Sequence, residues 1–66
     1  MKVSINALAD TTMEKMGWSD GCSPEYYGVR RTVMAGIYAY IALSNDKPED
    51  DDGTKEAGLE IAANFR

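Results

Sequence analysis

Apolar residues keep a helical rhythm almost from the start of the chain. Ile5, Leu8, Ala9, Thr12, Met13 and Met16 recur at intervals of three and four, which is one face of an α-helix. Ser4 stands where an N-cap belongs and Gly17 where a left-handed stop belongs, so the spacing predicts a helix over 4–16. Trp18 is then placed to pack back on that helix end. A turn cluster follows from Ser19 to Pro24, ending in a serine cap with proline at the first helical position.

The second predicted helix, 24–44, carries two apolar stripes. One reads Tyr26, Val29, Val33, Ile37 and Tyr40; the other reads Tyr27, Met34, Tyr38 and Ile41. Small residues (Gly28, Thr32, Ala35, Gly36, Ala39, Ala42) line a further side, where another helix backbone can come close. After Arg31 there is no charged residue for fourteen positions. A helix that is apolar all round has to be buried all round.

A third helix is predicted over 54–65, with Thr54 as its cap and Ala57, Gly58, Ile61, Ala62 and Phe65 turned toward the second. It is short and contains a glycine, so it needs that docking to persist. Between them, residues 45–53 hold Pro48 and the acids Glu49, Asp50, Asp51 and Asp52, and read as an exposed acidic loop. No strand-like alternation extends beyond a few residues. The expectation is an all-α fold of three short helices in one small domain over 1–66.

Composition explains why the middle helix matters. A chain of 66 residues buries only about 60% of the surface it exposes when unfolded, and domains of this size usually need a staple. The single cysteine, Cys22, rules out an internal disulfide. With no histidine as well, a zinc or transition-metal site is not expected, and the usual general base near neutral pH is missing. Self-association is left to cover the second helix. Val33, Gly36, Ile37, Tyr40 and Ile41 are the residues expected at that interface, with the chain itself as the first partner.

Charge narrows the partners further. The net charge is −4, and all of the excess lies in residues 41–66. Direct binding to a nucleic-acid backbone is therefore not expected. The first residues show no charged-then-apolar leader, and the longest uncharged apolar run, Val33 to Leu43, falls well short of the roughly 20 residues a membrane helix needs. No membrane role is expected, and the expected compartment is the cytoplasm.

Two clusters are candidates for chemistry. Tyr26, Tyr27, Arg30 and Arg31 form two i, i+4 ring–guanidinium pairs, a composition that suits a phosphate or nucleotide. The acids Glu49 to Asp52 suit a basic partner surface. They do not suit an EF-hand calcium loop, because setting Gly53 at its sixth position puts Pro48 first and Leu59 twelfth. Cys22 has no histidine to activate it, and Asp10 and Glu14 read as a solvated pair on the polar face of the first helix.

No catalytic set, cofactor motif or metal set is visible, so an enzyme is not expected. The sequence reads as a small interaction protein acting stoichiometrically as a homo-oligomer. It would block a partner protein, in the style of virus-encoded inhibitors of host proteins, or sequester a small anionic, nucleotide-like ligand. Two alternatives stay open. One is an acidic mimic occupying a basic nucleic-acid-binding site on a partner; the other is a structural or accessory subunit of a larger complex.

Overall fold

The computed structural model describes residues 2–18, 23–50 and 53–65. In chain order it contains β1 (Lys2–Val3), α1 (Ile5–Lys15), α2 (Pro24–Leu43), β2 (Lys47–Pro48) and α3 (Lys55–Ala63). The fold is all-α in character, with the three expected helices each within two residues of the expected bounds.

Local chemistry sets the helix ends. Ser4 caps α1, its Oγ accepting from the Ala7 amide at 3.2 Å. Gly17 takes a φ of 90°, and the Trp18 amide donates back to the Met13 carbonyl, which closes the helix in a Schellman turn. Trp18 does not pack on that turn alone: its ring meets Tyr26 edge-on, with centroids 6.3 Å apart. Ser23 caps α2 through the Tyr26 amide, with Pro24 and Glu25 in the first turn. α2 ends the same way as α1, with Asn45 in the left-handed region at φ 61° and the Asp46 amide reaching the Ile41 carbonyl.

The second stripe of α2 builds the core. Met34, Tyr38 and Ile41 pack with Ile5 and Ala9 of α1, and Val3, Val33 and Ile37 lie against that cluster. Of the six α1 residues expected on one face, Ile5, Ala9 and Met13 are buried, while Leu8 and Met16 are exposed. The first stripe of α2 stays largely open.

α3 docks with only part of the face expected. Gly58 and Ala62 are buried, whereas Ile61 is exposed and Phe65 is 73% exposed. The reason is steric. A Cβ on Gly58 would lie 2.7 Å from the Tyr38 Cβ, so α3 approaches α2 more closely than a larger side chain allows. Small residues must face Tyr38, and the larger ones turn outward. On the α2 side, Ala35 and Ala39 are buried, while Gly28 and Gly36 are exposed and a Cβ on either would meet nothing within 4 Å. The expected close approach is therefore made at Gly58 and not at Gly36.

Residues 45–53, expected as a free loop, are partly strapped down. Lys2 and Val3 pair in parallel with Lys47 and Pro48, and the Glu49 amide donates to the Val3 carbonyl at 2.6 Å. Two residues per strand are too few to leave an alternation in the sequence. Proline tolerates this short edge because it needs no ladder donor there.

Candidate functional site

The acidic stretch has a structural job at one of its members. The Asp50 carboxylate accepts from the Ile5 amide at 2.6 Å, the Asn6 amide at 3.2 Å, the Ser4 hydroxyl at 3.3 Å and the Asn6 side-chain amide. It thus satisfies amides at the start of α1 that have no partner within the helix, and it brings negative charge to the positive end of the helix dipole. The Asn6 side-chain bond, with the Ile5, Asn6 and Ser4 bonds behind it, holds the Asp50 carboxyl below its ordinary pKa of 3.8, against a smaller opposing effect of desolvation. Glu49 is exposed, and Asp51 and Asp52 lie outside the described residues.

The two arginines point different ways. Arg30 Nε donates to Asp10 Oδ1 at 3.0 Å and its Nη2 donates to Asn6 Oδ1 at 2.8 Å, while Nη1 lies 3.1 Å from the Met34 sulfur. With its side chain only 13% exposed, it braces α2 against α1. Asp10, expected to be merely solvated, is half of that brace. Arg31 is exposed and lies on the α3 side of α2, beside Thr32, Ala35 and Thr54. Successive helix residues are separated by about 100°, which is why the pair does not converge. Tyr26 and Tyr27 meet edge-on at 5.6 Å between ring centroids, and Tyr27 is exposed.

Among the described residues, a broad concave surface lies elsewhere, along the open stripe of α2. It is a groove of about 660 Å³ whose α2 wall is formed by Val33, Gly36, Ile37, Tyr40 and Ile41. These are the five residues expected at an oligomer interface, now found on one surface. Leu8 of α1, Val3 of β1 and Asp46 complete it. Ile41 belongs to the chain's own core at 3% exposure, Val33 and Ile37 are half-buried, and Tyr40 stands out at 70% exposure. The volume falls within the ~300–1,000 Å³ usual for binding clefts. A groove with one carboxylate among apolar walls can hold apolar side chains by burial. Among the described residues, no group of three or more histidine, cysteine, aspartate or glutamate side chains could hold a metal ion, and no helix is long and apolar enough to cross a membrane.

Leu8 and Asp46 were not among the residues expected at an interface, and neither were Val29 and Leu43, which are exposed on α2. A signal for the last two was present: with Val33, Gly36 and Tyr40 they form a run spaced by four, three, four and three. Leu8 was counted with the core face of its helix, and no sequence pattern separates it from Ala9.

Compared with protein-family models, with curated proteins and with solved structures, the chain matches none.

Proposed function

We propose that the protein is a non-enzymatic interaction module that works stoichiometrically and self-associates through the apolar face of α2. One observation carries this reading: Val33, Gly36, Ile37 and Tyr40, which α1 and α3 leave at least partly uncovered, line one apolar groove with Val3 and Leu8.

Blocking a partner protein fits this surface better than capturing a small anion. Arg30 is engaged with Asp10 and Asn6, and Arg31 faces another side. Acidic mimicry has less support too, because Asp50 serves the start of α1.

Size-exclusion chromatography with light scattering at tens of micromolar tests the reading. A mass that is a multiple of 7.2 kDa is the expected result. A well-folded species of 7.2 kDa at every concentration overturns it.

A further inference from the structure

The uncovered positions of α2 follow a rhythm of their own. Val29, Val33, Gly36, Tyr40 and Leu43 are four, three, four and three residues apart, the heptad spacing that keeps one seam facing a second helix along its length. Val29, Gly36, Tyr40 and Leu43 are exposed and Val33 is half-buried. The sides of α2 turned toward α1 and α3 are filled by other residues: Met34, Tyr38 and Ile41, and Ala35 and Ala39. The fold therefore leaves its heptad seam unused. At about 1.5 Å per residue, the seam runs for about 21 Å.

Along this seam a hole and a knob lie one turn apart. A Cβ on Gly36 would meet nothing within 4 Å; Tyr40 projects at 70% exposure. The geometry points to a second copy of this chain lying antiparallel on the seam, with Tyr40 of each copy seated over Gly36 of the other. Antiparallel coiled helices set the two kinds of seam position against each other, so Val33 then faces Leu43 of the second copy. A parallel pair would put glycine on glycine and tyrosine on tyrosine, leaving a void beside a crowd, and close-packed interfaces tolerate neither.

The antiparallel register also sets the two helix dipoles against each other. This assignment rests on the self-association proposed above and adds its geometry.

Thiol cross-linking in the full-length chain reads that geometry. In a Cys22→Ser background, Val33→Cys and Leu43→Cys are prepared separately and then mixed under oxidising conditions. The expected result is a cross-linked pair containing one of each, with little cross-linking of either variant alone. Self-cross-linking of each variant, or no cross-linking while the wild type keeps a mass above 7.2 kDa, overturns the antiparallel seam and leaves self-association standing. A wild-type monomer overturns both, and the groove then belongs to a different protein.

Gly36→Leu gives a second reading. A Cβ at this position meets nothing within 4 Å and leucine is a strong helix former, so helical circular dichroism is expected to persist while the mass falls to that of one chain. A retained pair overturns the seating of Tyr40.

Discussion

Gly58 and Asp50 show how much single positions decide in a chain this small. Replacing Gly58 with alanine gains about 1 kcal/mol of helix propensity, yet the new Cβ lands 2.7 Å from the Tyr38 Cβ. An atom so near the backbone yields only if the helices move apart, and overpacking of this kind costs roughly 1–3 kcal/mol. Gly58→Ala is expected to destabilise by on the order of 1 kcal/mol, read as an earlier midpoint in urea unfolding. Asp50 gives a pH signature. Its folded pKa lies below 3.8, so its contribution is fully present above that value and is lost as pH falls through the folded one. Thermal melts taken from neutral pH into acid should therefore show a steeper acid limb for the wild type than for Asp50→Asn. Parallel limbs would mean that the carboxylate is not held at the α1 terminus. Neither residue's role could be read from sequence. Asp50 meets partners 44 to 46 residues away, and Gly58 looks like a helix weakness until Tyr38 is placed beside it.

At the scale of elements, the caps of α1 and α2 were legible, the Thr54 side chain makes no capping hydrogen bond at α3, and the facing sides were legible only in part. Ser4, Gly17, Ser23 and Pro24 act within a turn of their own positions, so the sequence announces them. Which side of α3 docks depends instead on the bulk of Tyr38, a residue of another helix. The difference is measurable. Phe65→Ala is expected to change stability by no more than about 0.5 kcal/mol, as for other exposed positions. Met34→Ala removes a fully buried side chain from the centre of the core and is expected to cost about 2–5 kcal/mol, enough to unfold a chain of this size at moderate temperature. Comparing the two by thermal unfolding, at one protein concentration, checks whether the core lies between α1 and α2 as described. The strap formed by β1, β2 and Asp50 was hidden for another reason: a two-residue pairing has no period to read.

For the molecule as a whole, the charge-free stretch of the middle helix after Arg31 was the informative feature of the sequence. Two flanking helices leave one side of α2 open, and Val33, Gly36, Ile37 and Tyr40 line a groove there with Leu8, Val3 and Asp46. What the sequence left unresolved was the division of labour between the two stripes, because both are apolar and only the packing of α1 and α3 selects one as core. An apolar face of this kind ties folding to concentration, since association stabilises only the folded chain. The melting temperature should accordingly rise with protein concentration, and a Tyr40→Glu variant should melt at a temperature independent of it.

Sedimentation equilibrium of the wild type beside Tyr40→Glu, across a concentration series into the tens of micromolar, puts the question most directly. The wild type should approach at least twice 7.2 kDa while the variant stays at the mass of one folded chain. Identical single-chain masses for both, with helical content intact, would contradict the claim that the open face of α2 is where this protein meets its own copy.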